Sequence, residues 1–194
     1  MNDLALTYAS KLIACDSITP ARGGVFDTLQ GILETLGFTV ERIISGQDDS
    51  NPAHGAPVEN LFAIRGQGGR HFAFAGHVDV VPPGEGWATD PFQPQIKGDL
   101  LYGRGAVDMK GSIGAFLAAL HDIPEDAGTI SLIITGDEEG PAIFGTRALM
   151  EHMDARGIRP DMIVVGEPTS VDRLGDMIKN GRRGTLSGHL VVKG

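Results

Sequence analysis

The chain contains one cysteine, Cys15. A lone thiol excludes an intramolecular disulfide framework and a cysteine-built zinc site. Cys15 reads as a small buried apolar residue on the first helix. Aromatic residues are sparse, and the one tryptophan, Trp87, fits packing under a loop better than lining a substrate pocket. Bases are scarce as well: 16 Lys and Arg stand against 25 Asp and Glu, a net charge of −9. That balance argues against nucleic acid or an anionic membrane surface as a partner. No apolar run reaches the length of a membrane span. Residues 1–6 lack the basic start and apolar stretch of a secretory leader, so a cytoplasmic location is expected. No solenoid-type repeat is present.

What the sequence does have is glycine, 28 of them, several at informative places. Phe72-Ala73-Phe74-Ala75-Gly76 runs into His77-Val78-Asp79. Ile130-Ser131-Leu132-Ile133-Ile134-Thr135-Gly136 runs into Asp137-Glu138-Glu139, and Met162-Ile163-Val164-Val165-Gly166 into Glu167. Short apolar runs are how buried strands of an α/β sheet read. Ligands of such sheets gather at the carboxyl ends of the strands. A fourth acid, Asp108, precedes a helix-like stretch. One imidazole and several carboxylates arriving together would repel one another unless a cation held them.

Each signal is modest by itself. His-x-Asp places both side chains on one side of an extended segment, so Asp79 can orient His77 toward a metal; alone, the pair is more often a surface or structural hydrogen bond. Glu138-Glu139 alone is usually a solvated loop. Following an apolar run and a glycine, one of them can face a metal while the other serves as general base. Imidazole and carboxylates without thiolate suit zinc, cobalt or manganese in a hydrolytic site. Gly103-x-Gly105 begins like a dinucleotide fingerprint, but Asp108 stands where the third glycine or alanine belongs, which discounts a nucleotide cofactor.

Patterning predicts helices over 4–14, capped by Asp3, over 25–36, stopped by Gly37, and over 112–120 and 142–153. It predicts strands over 38–44, 60–65, 71–81, 130–135 and 162–165, and a hairpin turn at Gly98-Asp99. Residues 45–57 read as a surface loop. Residues 176–179 and 185–192 alternate as antiparallel strands do. The last residues fall inside such a pattern, so the chain is expected to be a portion of a longer protein. The fold class is α/β: a mixed, largely parallel central sheet flanked by helices.

Four segments together resemble the metal motifs of the M20-type di-zinc peptidases and deacylases: 76–82, 101–111, 137–140 and 165–169. Residues 175–184 (GDMIKNGRRG) narrow the resemblance to the branch acting on N-succinyl-L,L-2,6-diaminopimelate, rather than on acetylornithine or peptides. The resemblance implies two zinc ions per full-length subunit, with cobalt able to replace zinc. It implies that His77 and Glu167 bind the first ion, Asp108 bridges both, Glu139 serves the second, Glu138 is the general base and Asp79 orients His77. It implies a cis bond at Asp108–Met109, and substrate carboxylate contacts at Lys179, Arg182 and Thr185. The implied reaction releases succinate and L,L-diaminopimelate, in lysine and peptidoglycan synthesis. The second ion's histidine has no counterpart here, since His54, His71, His121, His152 and His189 lack the context. Residues 1–179 are thus expected to be the N-terminal portion of a metal-dependent catalytic domain. Residues 180–194 are expected to begin a lid and dimerisation domain through which the full-length protein forms a homodimer. The 194 residues alone are expected to have little or no activity. Deacylation of acetylornithine or metallo-carboxypeptidase activity is the rival within the family, and a non-catalytic metal-binding domain is the rival from another class.

Overall fold

The computed structural model describes residues 3–46, 56–124, 126–181, 184 and 188–193. Helix α1 (Leu4–Ile13) starts where Asp3 accepts the Leu6 backbone N–H at 3.1 Å, an N-cap that satisfies one orphan donor. Helix α2 (Val25–Thr35) ends at Gly37, whose φ of +80° favours glycine. There the Phe38 N–H donates to the Leu33 carbonyl and the Gly37 N–H to that of Glu34, which closes the helix by the glycine-dependent Schellman arrangement. Cys15 lies just past α1 rather than on it, and is buried.

Five strands form the main sheet: β1 (Thr39–Ser45), β2 (Val58–Arg65), β3 (His71–His77), β6 (Thr129–Thr135) and β7 (Met162–Val165), in the order β1-β2-β6-β3-β7. Between β3 and β6 in the chain come the hairpin β4 (Gln95–Lys97) and β5 (Leu100–Tyr102), turning at Gly98-Asp99, and helix α3 (Gly111–Ala119). Helix α4 (Thr146–Ala155) precedes β7. The sheet is mixed. β1, β2 and β6 are antiparallel neighbours; β6, β3 and β7 run parallel. In the parallel half His77 pairs in register with Thr135, and Ala75 with Val165. Three strands therefore end side by side.

Alternation along the strands sorts the core between two faces. Leu132 and Ile134 join Leu12, Leu29, Leu33, Phe74, Ile113 and Leu117 under α1, α2 and α3, whereas Ile133 joins Phe62, Ala73, Leu149 and Met153 under α4. The small residues of α3 serve a close helix pair: a Cβ on Gly114 would stand 2.7 Å from the Ala5 carbonyl oxygen and from the Ala9 nitrogen of α1. No described helix is long and apolar enough to cross a membrane.

Three elements depart from the pattern reading. β3 ends at His77, not at residue 81, because the chain then leaves the sheet for another partner. Val80 N–H donates to the Ser17 carbonyl, Thr19 N–H to the Val80 carbonyl, and Ser17 Oγ–H to the Val78 carbonyl at 2.7 Å. The fourth helix starts at Thr146, not at residue 142. Ala142 has a φ of +55°, and the Phe144 carbonyl is taken by Asn60 Nδ2–H and Ser45 Oγ–H, which holds this turn against β1 and β2. Residues 176–179 and the described part of 185–192 form no strand; no strand runs beside them among the described residues to take up their backbone groups. Most of the expected 45–57 loop lies outside the described residues.

Candidate metal centre

The glycines at the ends of two parallel strands, Gly76 of β3 and Gly166 after β7, are explained by one side chain. Met109 is fully buried. A Cβ on Gly76 would stand 2.4 Å from Met109 Cε, and one on Gly166 2.7 Å from the same atom and 2.3 Å from the Phe74 ring. The two glycines make room for Met109, and Met109 brings its neighbour Asp108 to the strand ends. The Asp108–Met109 peptide is cis, as the resemblance implied.

The imidazole of His77 is buried at the centre. Its Nε2 lies 2.9 Å from Asp108 Oδ1 and 3.4 Å from Glu167 Oε1. Its Nδ1 lies 3.0 Å from the Asp79 backbone carbonyl and 3.4 Å from Asp79 Oδ1. The nearer oxygen orienting the ring is thus the backbone one. The Asp79 carboxylate accepts the backbone N–H groups of Glu138 at 3.2 Å and Glu139 at 3.0 Å. Ligand atoms of His77, Asp108 and Glu139 lie within 4.8 Å of one another, as do those of His77, Glu138 and Glu167. Lys179 lines the cavity of about 540 Å³ that also opens on Asp108, Glu138 and Glu167. Arg182 and Thr185 lie outside the described residues.

The charges strain against one another. Burial would lower the His77 imidazole, but hydrogen bonds and charge from Asp79 and Glu167 outweigh it and raise it to about 11. Glu138 and Glu139 are pushed above the ordinary glutamate range, by burial first and then by neighbouring carboxylates including Asp108. Burial also works to raise Asp79, but bonds from His77 and the N–H groups of Glu139 and Glu138 hold it below its ordinary 3.8. One imidazole nitrogen and four outward carboxylates without sulfur are a donor set that zinc, cobalt or manganese accepts. The crowding that raises the glutamates is what a divalent cation relieves.

Sequence reading missed two buried ionisable groups beside this cluster. Lys110 is fully buried, donates from Nζ to the Cys15 carbonyl at 3.2 Å, and is lowered by burial to about 8. Its signal was faint: a lysine between a buried methionine and a helix start looks like any surface base. Asp137, also buried, is raised by burial and by Asp79, and its Oδ1 has no hydrogen-bond partner. The other described histidines with side-chain partners are engaged elsewhere: His71 with Ser131, His121 with Tyr8, His152 with Arg156 and Glu41. Trp87 donates to the Pro83 carbonyl under the Arg104 guanidinium, a packing arrangement.

The Asp79 clamp has a measurable consequence. In Asp79→Asn the side-chain amide would turn a donor toward one of two backbone donors, at a cost of about 1–3 kcal/mol. A carboxyl depressed in the folded state contributes stability above its unfolded pKa and loses it as pH falls. Wild type should therefore exceed the variant in denaturant midpoint at neutral pH, and the two should converge below about pH 4. Curves that stay parallel through the acid range would remove the clamp.

A search against protein families matches residues 73–181 to Peptidase family M20/M25/M40. The chain belongs to that family. Among its curated relatives are the succinyl-diaminopimelate desuccinylase of Sphingopyxis alaskensis, 66% identical over 97% of this chain and 49% of the relative, and that of Novosphingobium aromaticivorans, 58% identical over 100% and 51%. The chain spans about half the length of the curated relatives it matches. Human carnosine dipeptidase 1 superposes with a TM-score of 0.69 at 25% identity, over 83% of this chain and 37% of that one. An M20 family metallo-carboxypeptidase of Sulfolobus solfataricus shares the fold, with a TM-score of 0.66 at 23% identity over 84% and 37%.

Proposed function

We propose that the chain carries the metal-binding portion of an enzyme that hydrolyses N-succinyl-L,L-2,6-diaminopimelate to succinate and L,L-diaminopimelate. One observation carries this reading: His77, Asp108, Glu167 and the Glu138-Glu139 pair, from four separate segments, meet around one imidazole nitrogen. Relatives named succinyl-diaminopimelate desuccinylase, at 50–66% identity, support this choice of substrate. His77 and Glu167 would hold one zinc, Glu139 a second, and Asp108 both; cobalt suits the same donors. Bound there, the ions supply a Lewis acid for the amide carbonyl and lower the pKa of water toward neutral.

The chain's own groups do the rest. Glu138 takes the proton of the attacking water and returns it to the amine nitrogen as the C–N bond breaks and the C–O bond forms. Its raised pKa suits a group that must both accept and donate near neutrality. Asp79 holds the Glu138-Glu139 turn and, through its backbone carbonyl, the imidazole. Lys179, with Arg182 and Thr185, would receive the substrate carboxylates, a task for which the arginine fork is well shaped. The surroundings follow: cytoplasmic, no nucleic acid or membrane partner, a homodimer formed through the part of the protein beyond residue 179, and little or no activity in these 194 residues alone.

Succinate release by the full-length zinc-loaded protein tests the reading. Its kcat/KM for N-succinyl-L,L-2,6-diaminopimelate should exceed those for N-acetylornithine and for a dipeptide by about 10²-fold or more, since buried polar groups left unpaired reject the wrong substrate. Equal or reversed preference would assign the site to another acyl or peptide substrate.

A further inference from the structure

The loop between Glu167 and Lys179 is folded around one carboxylate that the mechanism does not use. Asp176 Oδ1 accepts the Val171 N–H at 3.0 Å, and Oδ2 accepts those of Asp172 at 2.8 Å and Arg173 at 3.1 Å. Three consecutive backbone N–H groups converging on one anion form a nest, and these bonds hold Asp176 below its ordinary 3.8. Two further bonds close the loop on itself: Gly175 N–H donates to Ser170 Oγ at 3.0 Å, and Thr169 Oγ1–H to the Met177 carbonyl at 2.8 Å.

Regular structure does not hold this loop, since residues 166–181 carry neither helix nor strand. Apolar packing does not hold it either: Leu174 is 99% and Ile178 87% exposed. The polar bonds around Asp176 restrain the loop from within. The two ends of the loop flank one space. Glu167 and Thr169 from the start of the loop and Lys179 from its end line one cavity together with Asp108 and Glu138. The path between the metal centre and the substrate-binding lysine therefore runs through the nest.

We propose that Asp176 is a positioning residue: by folding residues 169–177 it fixes Lys179 relative to Glu167 and so sets how tightly substrate binds. This rests on the desuccinylase reading above. An interaction that orients substrate without joining the chemistry moves KM and leaves kcat nearly unchanged. In the full-length zinc-loaded protein, Asp176→Asn puts an amide donor where a carboxylate oxygen accepted.

KM for N-succinyl-L,L-2,6-diaminopimelate should rise about tenfold with kcat within about twofold, and Asp176→Ala should do the same. Zinc content should not change. Amide exchange in 169–177 should quicken about tenfold or more in both variants, independently of any activity. Asp176→Glu should recover part of the KM. Unchanged exchange, faster exchange with unchanged KM, or a fall in kcat at constant KM each overturns the role. A wild type inactive on this substrate overturns the functional reading and this role with it. An active wild type beside variants of unchanged KM overturns this role alone.

Discussion

Glu138→Gln should leave zinc binding intact and lower kcat for succinate release by about 10²–10⁴-fold, the range for loss of a positioned general base. Glutamine keeps the size of the side chain and its place beside His77 and Glu167, but cannot take a proton from water. Glu138→Ala should fall as far, because the lost function is proton transfer and not packing. The comparison also separates two classes of protein: a domain that only stores metal gains nothing from a base at residue 138. The measurements are steady-state succinate release and zinc content by atomic absorption. Activity within a fewfold of wild type at equal zinc loading would remove Glu138 from the mechanism.

The second large effect concerns metal uptake. In the metal-free protein Asp79 and Glu167 hold the His77 imidazole protonated up to about 11, and a metal requires it neutral. Zinc binding at neutral pH should therefore release about one proton from His77, and apparent affinity should fall about tenfold for each unit of pH lost. Calorimetric titration in buffers of different ionisation enthalpy reads the proton directly. At zinc a thousandfold above Kd the fold should gain about 4 kcal/mol, and His77→Ala should lose both the gain and the proton. The imidazolium itself stabilises the metal-free fold fully below its ordinary 6.5, and that contribution drains away as pH rises toward about 11. Affinity independent of pH would show that His77 is not a ligand.

Much of the frame was legible because it is local. Apolar runs stopped by glycine read correctly as β3, β6 and β7, and Asp3 and Gly37 read correctly as helix signals. The glycines mark the strand ends, but the reason for Gly76 and Gly166, the space taken by Met109, is a contact across more than thirty residues. What failed was long-range in the same way. Pattern alone cannot end β3 at His77, because the competing partner is the segment around Ser17. Helix α4 starts at Thr146 rather than residue 142 because Ser45 of β1 and Asn60 of β2 tie down the Phe144 carbonyl. Lys110 escaped notice because burial of a lysine leaves no periodic trace. The nearness of His77 and Asp79 as a pair is legible in sequence, but not that the same carboxylate also accepts two amides about sixty residues onward.

That reach adds a side-chain tie between the two segments that leave neighbouring strands β3 and β6. The histidine arrives on one strand and the glutamates on another, yet a single carboxylate fastens the second to the first before any ion enters. Divalent cation would then meet a receptor already assembled, and the ordering entropy of the surrounding side chains belongs to folding and not to capture.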